Sequence, residues 1–383
     1  MNIFLSFFQS EHNYPIPAYS FWQYYLKNGI EEAGEKWTEC PSADWALGLV
    51  PQEKEDLQRW KDDTWGKTVD WLKKNPANLF LSYLYPEQVD VSAVKEIQKM
   101  GIPCVNFYCD HVREFKSLPA EFKVFDLNWV PEHKANPLYQ KAGRPFINLP
   151  MPMWVEPQRR VPGAERLPQV TFIGSKDIQR VLLFEELIGS HPNLPLKIYG
   201  SNWHGGGTSF REPGNDYTLS KKIKYNLDFV TDNGLSALYR KITHRGIQKR
   251  LKNNLQNIVQ PPPGFDEYNS LTTESMITLG VNRYPSFNFP LLKPDSYSRL
   301  RDIEAPMLGA CYLTEYTYGI EQLYDIENEI AVYQDAHELA SKIKQLEANP
   351  ALRQKLRTGG QRRALNDHTI PNSLKKIRQA LNL

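Results

Sequence analysis

The segment FIGSKDIQR (172–180) places Gly174, Ser175 and Lys176 in a turn that closes an apolar run, with Arg180 in the first turn of the helical pattern that follows. A glycine there lets backbone approach a pyrophosphate, and Lys and Arg neutralise its charge; the same residues also make an ordinary strand-to-helix turn. In SRLRDIEAP, Arg301 and Glu304 stand three apart on a helical pattern. A guanidinium matches a pair of phosphate oxygens and a carboxylate accepts two hydroxyl hydrogen bonds, yet the same spacing suits a solvated ion pair. Asp110 and His111 follow the run IPCVNFYC (102–109), and His12 lies in the loop after the first apolar run. Each can take a proton from a hydroxyl group or serve only as a loop or capping residue. His204, in SNWHGGGTS, sits in a Gly-rich loop suited either to closing over a ligand or to plain exposure.

Those candidates must be positioned by strands and helices in alternation. Strands are predicted near residues 3–9, 78–84, 102–109 and 125–131, with helices near 20–34, 54–75 and 91–100; strands separated by helices imply a parallel, doubly wound sheet. A Pro-rich stretch at 147–168 reads as a link between domains. The alternation restarts with strands at 169–175, 196–201, 276–282, 311–315 and 329–333. Helices are predicted near 178–189, 297–308, 336–347, 351–365 and 371–382. The expected organisation is a domain over 1–155, a second over 165–370, and a last helix at 371–383 packing back on the first. Ligands of such sheets bind beyond the carboxyl ends of the strands.

At 383 residues with 41% hydrophobic and 23% charged side chains, the chain has the composition of two globular α/β domains. The net charge of +2 argues against nucleic acid as the main partner. A local exception is the basic segment 220–252, whose Lys/Arg-rich pattern suits a solvated helix face, peripheral contact with anionic lipid, an acidic glycan or nucleic acid. Cys40, Cys104, Cys109 and Cys311 lack metal-ligand spacing, no Asp-x-Asp triplet occurs, and free thiols suit a reducing cytosol. The N-terminus reads as a strand rather than a signal peptide, and no run reaches membrane-spanning length, so the expected location is the cytoplasm, with at most peripheral contact at the inner face of the membrane.

The order of residues in 298–345 resembles the C-terminal domain of the CgeB-like (spore maturation protein B-like) glycosyltransferases, within the GT-B superfamily. It runs Arg301, Glu304, a small-residue turn with Gly309, an apolar strand, Gly319-Ile320-Glu321 and the strand EIAVY. VNFYCDHVREF (105–115) and FDLNWVPEHKANPLYQKAGRPFINLPMPMW (125–154) are similar to that family's N-terminal half, so the resemblance spans roughly 78–370. It implies two Rossmann-like doubly wound domains facing across a cleft, an N-terminal acceptor domain and a C-terminal sugar-nucleotide domain. The implied reaction moves a sugar from a nucleoside-diphosphate donor to a hydroxyl of a glycan, lipid-linked saccharide or protein, without an essential metal or other cofactor. By that resemblance Glu304 contacts the donor sugar or its ribose and Arg301 the diphosphate, joined by Gly174, Ser175, Lys176, Arg180, Thr317, Tyr318 and Gly319; Asp110, His111 or His12 supplies a base. One departure stands out, because many retaining GT-B enzymes carry a second Glu eight positions after the first and Tyr312 is found there. A non-catalytic binding or scaffold role, or less favourably a nucleic-acid-binding one, is the alternative. Hinge closure is expected at 147–168 and 371–382.

Overall fold

The computed structural model describes residues 1–12, 14, 18–161, 164–203, 227, 229–231, 234–248 and 255–383. The chain divides into two compact units, unit 1 formed by Met1–Glu156 and Leu365–Leu383 and unit 2 by Pro157–Ala364.

Unit 1 holds a sheet of β1 (Asn2–Ser6), β2 (Lys36–Thr38), β3 (Leu79–Tyr83), β4 (Cys104–Phe107), β5 (Leu127–Val130) and β6 (Phe146–Asn148). Their order is β2-β1-β3-β4-β5-β6, and every pairing is parallel. β3 and β4 are buried at every position, as a parallel strand covered on both faces must be. The connections are α1 (Ala18–Glu32), α2 (Lys54–Lys74), α3 (Val91–Lys99), the single turn α4 (His111–Glu114) and α5 (Asn136–Ala142). Their ends follow from local chemistry: the Asp90 carboxylate accepts the Ser92 and Ala93 N–H groups that open α3, and Gly143 adopts the left-handed conformation that ends α5.

Unit 2 holds β7 (Leu167–Ile173), β8 (Leu196–Tyr199), β9 (Val259–Gln260), β10 (Ser275–Gly280), β11 (Tyr312–Glu315) and β12 (Ala331–Tyr333), with helices α6 (Ile178–Ser190), α7 (Leu235–Gln248), α8 (Phe265–Glu274), α9 (Arg301–Met307), α10 (Ile320–Leu323), α11 (Ala336–Ala348) and α12 (Pro350–Asp367). Again all pairs are parallel, in the order β12-β11-β10-β7-β8-β9. Chain order therefore runs outward on both sides from the β7–β10 pair. That reversal is the switch point beyond which doubly wound sheets open a crevice. The core beneath it is built from Phe172, Phe184, Ile198, Ile277, Leu313 and Leu339, all buried.

A buried cation holds the segments that lead into the central strands β10 and β11. Arg357 of α12 donates to the carbonyls of Thr273 (2.6 Å) and Gly309 (3.0 Å) and to that of Ser275, tying α8, the start of β10 and the turn after α9 together. After α12 the chain re-enters unit 1 as α13 (Ile370–Leu381), where Ile370 fills the space above Gly29 of α1 and Arg378 pairs with Glu35 at 2.9 Å. Among the described residues no helix is long and apolar enough to cross a membrane.

Arg357→Met leaves three carbonyls without their buried donor. It is expected to destabilise unit 2 by about 3 kcal/mol or more, read as a fall in the urea or thermal unfolding midpoint.

Candidate functional site

The rim of unit 2 beyond β7, β10 and β11 gathers charge. Gly174 ends β7, and its backbone is fully engaged: its N–H donates to Tyr199 O (2.8 Å) and its carbonyl accepts from Trp203 Nε1 (2.8 Å). Gly200 sits so close that a Cβ there would fall 2.1 Å from the Gly174 carbonyl oxygen. The Lys176 N–H is likewise spent on Ser201 O at 3.0 Å. These two N–H groups are therefore already paired within the fold. The turn shapes the position of Arg180. Asp177 caps α6 by accepting the Arg180 N–H (2.9 Å) and pairs with its guanidinium (3.1 Å), while Arg180 Nη1 reaches back to Ser175 O at 2.6 Å. Burial lowers the Arg180 pKa, Asp177 opposes that shift, and the neighbouring Arg299 and Arg301 charges add to it. Arg180 thus feels the charges of both Arg299 and Arg301, an electrostatic setting that favours an anion near it.

Arg299 and Arg301 are placed by a buried carboxylate. Asp302, wholly buried, accepts from the Tyr312 hydroxyl (2.7 Å), the Thr314 hydroxyl (3.0 Å), Asn282 Nδ2 (3.1 Å) and the Arg299 N–H (3.0 Å). Burial raises its pKa, and the hydrogen bonds from Tyr312, Arg299, Ser298 and Thr314 work against that rise. Tyr312, at the position where a second Glu was sought, is therefore an internal donor; a carboxylate there would confront Asp302. Gly280 is required below it, since a Cβ would stand 2.2 Å from the Tyr312 hydroxyl.

Around this hub the rim is firm. Glu315 at the end of β11 accepts the N–H groups of Asn282 (3.2 Å) and Arg283 (3.0 Å) and the Arg283 Nε (2.7 Å). Burial alone would lower the Arg283 pKa, but Glu315 outweighs it and the net shift is upward. Arg299 stacks over Tyr297 at 4.5 Å and Arg301 over Tyr268 at 5.0 Å. The Tyr268 hydroxyl donates to Glu304 Oε2, so Tyr268 of α8 touches both members of the pair that helical spacing alone would join directly. Thr317 is buried, and among the described residues its hydroxyl finds no partner; Tyr318 points to solvent, 57% exposed, and Gly319 opens α10 with φ 95°. Sequence reasoning missed Asp302, Arg299, Arg283, Glu315 and Tyr268. Arg299 and Asp302 flank residues already singled out, and Arg283 and Glu315 end two apolar runs, which was the available signal.

In unit 1, Asp110 is half-buried and precedes α4, and His12 is exposed, its N–H bonded to Ser10 Oγ at 2.9 Å. His111 differs from expectation. It is wholly buried, Nε2 lies 2.6 Å from the Tyr139 hydroxyl, and burial lowers its pKa to about 3. Although Glu132 stands 3.7 Å from Nδ1, the ring is held neutral as a packing group, so a base role reachable from solvent is withdrawn. His204 and six of the nine basic residues of the basic segment, Lys221, Lys222, Lys224, Lys249, Arg250 and Lys252, lie outside the described residues. Among the described residues no group of His, Cys, Asp and Glu has the makings of a metal site.

The family model described as glycosyl transferase-like matches residues 179–379, more than half of the chain, including Arg180 and the whole Asp302 hub. The chain belongs to the glycosyl transferase-like family. It is thus an enzyme of sugar transfer. No curated protein sequence matches this glycosyl transferase-like chain. Among solved structures it is similar to sucrose-phosphate synthase from Thermosynechococcus elongatus, at 14% identity and TM-score 0.59, covering 99% of this chain and 98% of that one. A glycosyltransferase from Rickettsia africae is similar at 9% identity and TM-score 0.61, over 99% and 98%. Anabaena HepE in complex with UDP is similar at 12% identity and TM-score 0.58, over 100% and 99%. At such identities the likeness shows the fold alone, and that fold is the two-domain α/β GT-B arrangement of doubly wound sheets.

Two outcomes follow from the geometry. The unfolded chain binds a proton at His111 below pH about 6.5 that the folded chain refuses down to about 3, so unit 1 loses stability as pH falls through this window, by up to about 1.4 kcal/mol per pH unit. Thermal midpoints of His111→Phe should fall less steeply from pH 6.5 to 4 than those of the wild type. Tyr312→Phe removes one donor from a buried carboxylate and should cost about 1–3 kcal/mol in equilibrium unfolding, with Tyr312→Glu costing more.

Proposed function

We propose that unit 2 binds a nucleoside-diphosphate sugar, its diphosphate between Arg180, Arg299 and Arg301, and that the sugar passes to a hydroxyl of a glycan, lipid-linked saccharide or protein. The observation that carries this reading is that Arg180, at the start of the helix after β7, lies within the electrostatic influence of Arg299 and Arg301, in a chain of the glycosyl transferase-like family. The complexes of Anabaena HepE with UDP and with UDP-glucose, a protein of the same fold, support the choice of donor class.

In the reaction the acceptor hydroxyl attacks the anomeric carbon as the bond from that carbon to the diphosphate breaks. Negative charge grows on the departing diphosphate, and fixed guanidinium groups stabilise it because they need not reorganise when the charge appears. This supplies the counter-charge without calling on a metal. Glu304 accepts a hydroxyl of the donor sugar or ribose, its carboxylate oriented by Tyr268, and Lys176 adds charge at the edge of the site. Thr317 offers a buried hydroxyl, and Tyr318 and Gly319 flank it. Asp110, half-buried just before α4, is the preferred residue to receive the acceptor proton, with His12 the competitor. The order of Arg301, Glu304, Gly309 and Gly319 supports placing the chain among the CgeB-like members of the superfamily.

Arg180→Ala and Arg301→Ala should each weaken nucleoside-diphosphate binding about 10- to 100-fold by calorimetry, with a smaller effect on the matching nucleoside monophosphate. Equal losses for mono- and diphosphate would move the diphosphate away from this cluster.

A further inference from the structure

The ladder between β10 and β11 stops at Gly280 opposite Thr314, and one residue further on a side chain takes its place. Glu315 is only 5% exposed. One oxygen of its carboxylate accepts the backbone N–H groups of Asn282 (3.2 Å) and Arg283 (3.0 Å), and the other accepts the Arg283 guanidinium. Asn282 is fastened a second time, its Nδ2 donating to Asp302 (3.1 Å) and to the Glu315 carbonyl (2.9 Å). The chain leaving β10 is thereby held although it has no strand partner on that side.

What this segment holds in turn is Arg299. Residues 282–284 run antiparallel to 295–297: Arg283 bridges Ser296, the Tyr284 N–H donates to Asp295 O (3.3 Å), and the Tyr297 N–H donates to Asn282 O (3.3 Å). Tyr297 rests against Tyr284, ring centroids 5.1 Å apart, and the Arg299 guanidinium stacks on Tyr297 at 4.5 Å. Arg299 Nη2 then donates to the Arg283 carbonyl at 3.3 Å. Both the acceptor and the aromatic platform of Arg299 are thus placed by the two residues whose N–H groups Glu315 holds. Arg299 Nε is buried and has no partner among the described residues, so the guanidinium is fixed on one edge and one face while a donor stays open to a ligand. A long side chain held in this way has less freedom to lose when an anion binds.

Stability alone is a poor reason for such a carboxylate. A buried ion pair does no better than apolar side chains of similar volume, and those would leave the Asn282 and Arg283 N–H groups unheld.

We propose that Glu315 is a positioning residue for the donor site: through the backbone of Asn282 and Arg283 it holds the Arg283 carbonyl and the Tyr297 ring where they fix the Arg299 guanidinium for a diphosphate. Arg283 gives the site its carbonyl, its guanidinium being spent on Glu315. The inference rests on the reading of Arg299 as a diphosphate ligand.

The test is a double-mutant cycle read by calorimetry. Its probes are the nucleoside diphosphate that the wild type binds most tightly among UDP, GDP, CDP, ADP and dTDP, and the matching monophosphate. Glu315→Gln keeps the volume but turns an amide NH2 toward either the backbone N–H groups or the Arg283 guanidinium. It should weaken diphosphate binding about 5- to 20-fold and monophosphate binding less, and should cost less than about twofold when added to Arg299→Ala. Undiminished diphosphate affinity in Glu315→Gln, or the same loss with and without Arg299, overturns the proposal. Diphosphate affinity unchanged in Arg299→Ala overturns the donor-site reading itself, and the proposal with it. If Glu315→Gln does not fold, amide hydrogen exchange in the wild type carries the test. The Asn282 and Arg283 N–H groups should be protected before any nucleotide is added, and fast exchange there overturns the proposal.

Discussion

The Asp302 carboxylate is the constraint on which the rest of unit 2's rim depends. It is wholly buried, and its hydrogen bonds come from β11 through Tyr312 and Thr314, from the residue beyond β10 through Asn282, and from the start of α9 through Arg299. A charge in that position is tolerated only while each of these donors is in place, because desolvation raises its pKa and favours the neutral form. The carboxylate therefore dictates where α9 begins, and with it the placement of Arg299, Arg301 and Glu304. The Glu315–Arg283 pair and the Tyr268 hydroxyl on Glu304 reinforce the same rim from β10, β11 and α8.

Much of the architecture was legible in the sequence because long, apolar or strongly periodic segments decide it. The helices expected near 54–75, 91–100 and 336–347 occur as Lys54–Lys74, Val91–Lys99 and Ala336–Ala348. Three short strands were not legible: β2, β6 and β9 span three, three and two residues and exist by pairing with a neighbour, whereas the equally short β12 lies within the apolar run at 329–333. The helix expected near 297–308 begins only at Arg301, because Asp302 accepts the Arg299 N–H and the preceding residues belong to its shell.

The site was legible in part for a related reason. Residue type and spacing pointed to Arg180, Arg301 and Glu304, which the fold gathers on one rim, but could not reveal that Tyr268, 36 positions before Glu304, would donate to it. Nor could a linear reading tell that Tyr312 faces inward to Asp302, or that His111, attractive beside Asp110, is sealed against Tyr139. In each case the deciding quantity is burial of a polar group, which belongs to the assembled sheet rather than to the local sequence.

The most direct test of the account is a crystal structure of the enzyme with UDP bound. The account predicts the diphosphate within hydrogen-bond reach of Arg180 and Arg301, beyond the ends of β7 and β10. A diphosphate bound away from both arginines, with Asp302 and its donors unchanged, would contradict it.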